Sequence, residues 1–264
     1  MTAPAELLAV ATEIAREAGD LARRRRSEGV AIAATKSALA DIVTEADQEV
    51  ERLIRERLAA ARPGDGFFGE ESAPSASETG VTWVIDPIDG TVNYAAGIGN
   101  YAVSIAAVTG PVDPASWTAQ AGVVYAPALG ECFHATRGGG AWRGETRLRV
   151  SESSPAGALL GTGFGYDPAT HAGDLATVAA VMPIARDLRR MGAAALDLSY
   201  VAAGRLDGYV ERGLQPWDVA AGALLVTEAG GRLSQWEREE RRRLFIAGGV
   251  SVHDEIVRLL APKA

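Results

Sequence analysis

The densest chemistry in the sequence lies in Trp83-Val84-Ile85-Asp86-Pro87-Ile88-Asp89-Gly90-Thr91. An apolar strand runs directly into Asp86, and the end of a buried strand is an unfavourable place for an unpaired carboxylate. Pro87 is expected to stop the ladder and fix a turn. Asp89 follows at once, so two carboxylates at one strand-to-turn junction can converge on a single cation. Gly90 lets the backbone approach a ligand closely. Thr91 adds a hydroxyl, and successive backbone N–H groups here can cradle an oxyanion. The competing reading is an ordinary Asp-Gly turn with a capping aspartate, although Asp86 has nothing to cap.

Two further acidic features stand elsewhere. Gly69-Glu70-Glu71-Ser72 follows Phe67-Phe68, so again an apolar strand ends in acid; a solvated loop is the alternative. Gln215-Pro216-Trp217-Asp218 opens an Ala-rich helix with Asp218 in its first turn. There a favourable charge at a helix N-terminus, worth about 0.3–1 kcal/mol, is the alternative. If Glu70, Asp86, Asp89 and Asp218 converge, each pair of charges about 5 Å apart repels by roughly 3 kcal/mol at an effective dielectric of about 20. Several such pairs rival the stability of a whole domain, about 5–15 kcal/mol. Protonation or divalent cations must relieve the repulsion. At neutral pH, with reference pKa values near ~4, cations answer better. A fourth feature, Asp41-Ile42-Val43-Thr44-Glu45-Ala46-Asp47, reads as a capping box with Asp in place of Glu. Lys36 upstream either balances an acidic site or is an ordinary exposed lysine.

Other chemistries are poorly supported. The three histidines, His134, His171 and His253, never pair at helical spacing, so a zinc site is not expected; oxygen ligands and a hard cation are. Gly161-Thr162-Gly163-Phe164-Gly165 lacks the helix and acidic partner of a dinucleotide fold, and no phosphate-binding P-loop motif occurs. No Gly-x-Ser-x-Gly is present, and the single cysteine, Cys132, has only His134 nearby on an alternating strand, which disfavours a Ser or Cys nucleophile. One cysteine excludes an internal disulfide and suits a reducing cytoplasm. A net charge of -8 disfavours nucleic acid as a partner. The basic clusters at residues 23–26 and 238–243 read as solvated faces or turns, with a partner or dimer contact as the alternative. No apolar run is long enough to span a membrane, and the N-terminus does not read as a signal peptide.

Residues 264 in number, 47% of them hydrophobic, fit one large α/β domain or two closely packed halves. In residues 1–150 the apolar spacing predicts helices over residues 5–26 and from Thr44 to Pro63, then short strands at 66–69, 82–85, 101–108, 119–125, 131–135 and 147–150 in a mostly antiparallel sheet. In residues 151–264 strands (158–162, 187–191, 207–211, 232–234, 244–247) alternate with helices (170–181, 193–203, 216–229, 252–260). That rhythm predicts an α/β unit with a partly parallel sheet. The two halves are expected to pack along a shared cleft.

Taken in order, these motifs resemble the inositol monophosphatase family of Mg2+-dependent, Li+-inhibited phosphatases. The resemblance covers nearly the whole chain. It rests on Lys36, Asp41-Ile42-Val43-Thr44-x-x-Asp47, Gly69-Glu70-Glu71-Ser72, residues 83–94, Trp217-Asp218-Val219-Ala220-Ala221-Gly222 and Thr227-Glu228-Ala229-Gly230-Gly231. It implies a layered αβαβα sugar-phosphatase fold, a homodimer, and a phosphorylated polyol or sugar as substrate. It also implies two to three Mg2+ per site. Glu70, Asp86 and the Ile88 carbonyl would hold the first ion, Asp86, Asp89 and Asp218 the second, and Glu70 a weaker third. By the same resemblance Gly90 and Thr91 receive the phosphate, and Thr91 with Asp47 orients and deprotonates the attacking water. Gly192, Ala193, Ala194 and Glu211 match positions that contact the polyol. The chain departs from the family at Ala193, often Thr, at Gly99, often Pro, and at Tyr94, commonly Phe. The short segment 71–82 and the single acidic Glu211 favour inositol monophosphate over histidinol phosphate, fructose 1,6-bisphosphate or 3'-phosphoadenosine 5'-phosphate.

Overall fold

The computed structural model describes residues 2–29, 32–35, 42–152, 156–236 and 242–261. Lys36, Asp41 and residues 238–241 of the second basic cluster lie outside them. The first helix, α1 (Pro4–Glu28), buries Leu7, Ala11, Ile14, Ala15, Ala18 and Leu21, the face that its apolar spacing marks. A two-stranded antiparallel pair, β1 (Ile32–Thr35) and β2 (Ile42–Thr44), leads into α2 (Glu45–Ala61).

A seven-stranded sheet follows: β3 (Gly66–Gly69), β4 (Val81–Asp89), β5 (Ala102–Thr109), β6 (Thr118–Ala126), β7 (Glu131–Thr136), β8 (Gly140–Arg143) and β9 (Thr146–Arg147), in that order. A short helix, α3 (Thr91–Ala96), leaves the end of β4. Only the β3–β4 pair is parallel. The spacing predicts neither α3 nor β8, and of the strand expected over 147–150 only Arg147 belongs to a strand, β9.

The second half contributes β10 (Ala158–Thr162), α4 (His171–Val181), β11 (Ala185–Arg189), α5 (Ala194–Ala202), β12 (Gly208–Arg212), α6 (Pro216–Glu228), β13 (Arg232–Trp236), β14 (Leu244–Gly248) and α7 (Val250–Leu260). Its sheet runs β11-β10-β12-β14-β13, with β10 parallel to both neighbours and the remaining pairs antiparallel. The partly parallel sheet expected from the alternation is present.

Strand periodicity builds the layers. Trp83, Ile85, Val103, Ile105 and Ala107 face α1 and α2, whereas Val84, Ala102, Ala106 and Val108 face α5 and α6. Across those two helices the second sheet presents Tyr209, Phe245 and Ala247 inward, and Val210, Leu244 and Ile246 outward toward α7. The order is therefore helices, sheet, helices, sheet, helices. Both faces of each central strand are covered, which is why β4 reads as a continuous apolar run rather than an alternating one. Trp83 is 1% exposed and donates from Nε1 to Asp65 Oδ2 at 2.9 Å, so its polar edge is satisfied within the core.

Candidate active site

The site grows from the end of β4. Pro87 does not end that strand, contrary to the reading from sequence. Pairing with β5 runs to Asp86, skips Pro87 and Ile88 in a bulge, and resumes at Asp89 opposite Ala102. Pro lacks the N–H a regular ladder needs, so the bulge accommodates it. Asp86 and Asp89 are consequently both buried, at 2% and 5% exposure. The chain then turns through Gly90 at φ 90 into α3. A Cβ there would stand 3.0 Å from the carbonyl oxygens of Asn100 and Gly192, so both the conformation and the close approach require glycine.

Asp47 closes a cap and also reaches Thr91. Its Oδ2 accepts from the Thr44 N–H at 2.8 Å and from the Thr44 hydroxyl, closing the capping box of α2. Its Oδ1 accepts from the Thr91 hydroxyl at 3.1 Å. Thr91 Oγ1 also stands 3.1 Å from the Ile88 carbonyl oxygen. Burial, working against these hydrogen bonds, pushes the Asp47 carboxyl up to about 6.

The other carboxylates arrive from three directions. Asp89 Oδ2 accepts from Leu196 N–H at 3.1 Å, in the first turn of α5, so the N-terminus of that helix points at the end of β4. Asp218 Oδ2 accepts from Gln215 N–H at 2.6 Å and caps α6, and the residue lines the cavity as well. Glu70 follows β3. The loop beside it is fixed by Glu51, a buried acid of α2 that accepts from the Glu71 N–H at 2.8 Å. Sequence reasoning misses Glu51. Its signal was a carboxylate on the same helical face as Ile54 and Leu58.

Glu70, Asp86, Ile88, Asp89, Gly90 and Thr91 line one cavity of about 470 Å³, which they share with Gly192, Ala193, Ala194, Glu211 and Asp218 from the second half. That volume is within the range of small-molecule sites. Asp47 is not on its wall and meets it through Thr91. Arg190 and Tyr166 also line it and carry no sequence signal of their own; Arg242, expected on a solvated face or turn, lines it too, held by an ion pair with Asp174. Gly163-Phe164-Gly165, dismissed as a nucleotide loop, forms part of the same wall.

Electrostatics define what the cavity can hold. Burial first, then the charges of Glu70, Asp89 and Asp218, raise the Asp86 pKa well above the carboxylate range. Asp218 is raised likewise by burial and by Asp89 and Glu70. Burial pushes Asp89 up to about 7 against the backbone N–H groups of residues 194–196. Glu211, also driven by burial, reaches about 7 while accepting from the Tyr209 hydroxyl. Asp86 Oδ1 is buried with no hydrogen-bond partner among the described residues. Among those residues no three Asp, Glu, His or Cys side chains form a closed metal-ligand cluster. The fit to a cation rests instead on the orphaned Asp86 oxygen and on mutually repelling carboxylates, an all-oxygen donor set suited to a hard divalent ion.

Fold, cavity and sequence together place the chain among the phosphoric monoester hydrolases. It belongs to the inositol monophosphatase family, whose model matches residues 3–262. Members of this family are generally metal-dependent. Inositol-1-monophosphatase SuhB of Mycobacterium tuberculosis is 44% identical, over 97% of this chain and 94% of that protein. The Nus factor SuhB of Haemophilus influenzae is 40% identical over 88% of this chain and 85% of its own. The crystal structure of the extragenic suppressor protein suhB from Bartonella henselae superposes with a TM-score of 0.87 at 35% identity, covering 98% of this chain and all of that one. Among the described residues, no helix is long and apolar enough to cross a membrane.

Proposed function

We propose that the protein hydrolyses inositol monophosphate to inositol and phosphate with Mg2+ as cofactor. The observation that carries the reading is the convergence of Asp86, Asp89, Asp218 and Glu70 on one cavity, with Asp86 Oδ1 left unpartnered. Glu70, Asp86 and the Ile88 carbonyl, and Asp86 with Asp89 and Asp218, would hold two ions, with Glu70 serving a third. Bound there, Mg2+ supplies Lewis acidity and neutralises charge on the phosphate and the departing oxygen.

The chain's own residues supply the rest. Backbone N–H groups of Gly90 and Thr91 hold the phosphate. The Thr91 hydroxyl orients the attacking water, and Asp47, ionised, accepts the proton passed through it. Gly192, Ala193, Ala194 and Glu211 contact the alcohol. Residues 1–150 thus carry most metal ligands, and residues 151–264 carry the alcohol contacts and Asp218. The family resemblance leads us to read the protein as a lithium-sensitive homodimer of the cytoplasm.

A phosphate-release panel tests the substrate. Inositol 1-phosphate, histidinol phosphate, fructose 1,6-bisphosphate and 3'-phosphoadenosine 5'-phosphate are compared with Mg2+, with and without Li+. Preference for inositol 1-phosphate, lost with Li+, is expected; comparable rates on all four refute a dedicated inositol enzyme. A second reading, a non-catalytic regulatory protein, is favoured by the name of the Haemophilus influenzae relative. It gains if no monoester is turned over with Mg2+.

A further inference from the structure

Two charged side chains are packed against glycines in the cavity. A Cβ at position 163 would collide with the Glu211 carboxylate, and one at position 192 with Nη1 of Arg190. Gly192 additionally holds φ 80, so no other residue suits it. Each glycine clears the space that a charged head occupies, and all four residues line the cavity.

The cavity's two arginines differ in commitment. Arg242 donates from Nη1 to Asp174 Oδ1 at 2.8 Å and from Nη2 to the Arg212 carbonyl at 2.7 Å, with its side chain 18% exposed. Its donors serve the fold. Arg190 is exposed and makes no hydrogen bond or ion pair with any described residue. Burial raises the pKa values of Glu211, Tyr166 and Asp197, and the Arg190 charge opposes that rise in each. On Asp86 and Asp218 the acting charges are carboxylates instead. Arg190 Nη1 lies against Gly192, one of the proposed alcohol contacts, on a wall that also carries Glu211, so the residue belongs to that side of the cavity.

A guanidinium offers N–H donors in a fixed fork and no acceptor, whereas an ionised carboxylate only accepts. A hydroxyl does both. We infer that Arg190 is a specificity-determining residue which, beside Glu211, donates to neighbouring hydroxyls on the alcohol half of the substrate. This rests on the phosphatase reading above and extends it to a diol-bearing alcohol.

Steady-state kinetics with Mg2+ on inositol 1-phosphate and on n-propyl phosphate, which lacks hydroxyls, test it in wild type, Arg190→Met and Arg190→Lys. Inhibition by inorganic phosphate is measured alongside. Loss of hydrogen bonds from a charged donor predicts that Arg190→Met raises KM for inositol 1-phosphate by about tenfold, with Arg190→Lys between it and wild type. In Arg190→Met, kcat on that ester, both constants for propyl phosphate, and phosphate inhibition stay near wild type. Equal losses on both esters with weakened phosphate inhibition overturn the inference and assign Arg190 to the scissile phosphate. Unchanged kinetics on both esters overturn it as well. Failure of wild-type protein to turn over either ester sinks the phosphatase reading, and this inference with it.

Discussion

The Thr91 hydroxyl lies 3.1 Å from Asp47 Oδ1, although 44 residues separate the two in sequence. The other oxygen of the same carboxylate closes the capping box of α2. A helix cap thus holds the carboxylate that also accepts from Thr91, so the proposed chemistry would share a residue with helix stability. Replacing Thr91 with Val keeps the shape and removes the hydroxyl. The expected result is a fall in kcat of about 10²–10⁴-fold, the usual contribution of positioned proton transfer, with Thr91→Ser far milder. Steady-state kinetics on inositol 1-phosphate measure both.

In the proposed mechanism Asp47 must be ionised to take the proton passed through Thr91. Burial pushes its carboxyl up to about 6, so activity should rise through that region as pH increases. A kcat/KM profile is expected to show an acid limb near pH 6 that disappears in Asp47→Asn, which never ionises. An unchanged limb in that variant would assign the titration to another group.

The acid cluster sets a pH dependence of stability. Asp89 and Glu211 are raised from ordinary carboxylate values to about 7, and burial raises Asp86 and Asp218 as well. The folded state therefore binds these protons more tightly than the unfolded state. The stability they confer is complete below pH ~4 and lost as pH rises through about 7. With chelator present, the melting temperature should fall between pH 5 and pH 8. Mg2+ should restore it at pH 8 by binding the folded state preferentially. Thermal scans at the two pH values, with and without Mg2+, check the sign.

Glu51 positions the Glu70 loop through the Glu71 N–H, at 2.8 Å. Glu51→Ala removes that hydrogen bond to a charged acceptor, at a cost of about 1.5–3 kcal/mol. It should also raise the Mg2+ concentration needed for half-maximal activity, because Glu70 loses its anchor. Denaturant melts and an Mg2+ titration of turnover separate the two effects.

Much of this site was legible before any coordinates. The acids at strand ends announced themselves because a carboxylate following an apolar run demands a partner. The layers followed from periodicities of two and of about 3.6 residues. What escaped had physical reasons. The bulge at Pro87–Ile88 was read as a strand end because a missing N–H is consistent with either outcome. The α3 helix has six residues, too few for a periodic signal. Arg190 enters the cavity through the fold of β11 and Gly192, a relation with no signature in spacing. The cap readings of Asp47 and Asp218 competed with their site readings in sequence, yet the caps form on residues that also touch Thr91 or line the cavity, so a cap does not argue against a site role.

The account stands most directly on Asp89, whose Oδ2 accepts from Leu196 N–H and whose charge belongs to the acid cluster. An asparagine keeps an oxygen for Leu196 and loses the charge. Mg2+-dependent phosphate release from inositol 1-phosphate by wild type and Asp89→Asn, with circular dichroism to verify folding, is the decisive measurement. The predicted result is wild-type turnover abolished by chelator, and a folded variant slower by at least about 10³-fold. Wild-type turnover indifferent to chelator, or a variant of undiminished rate, would contradict it.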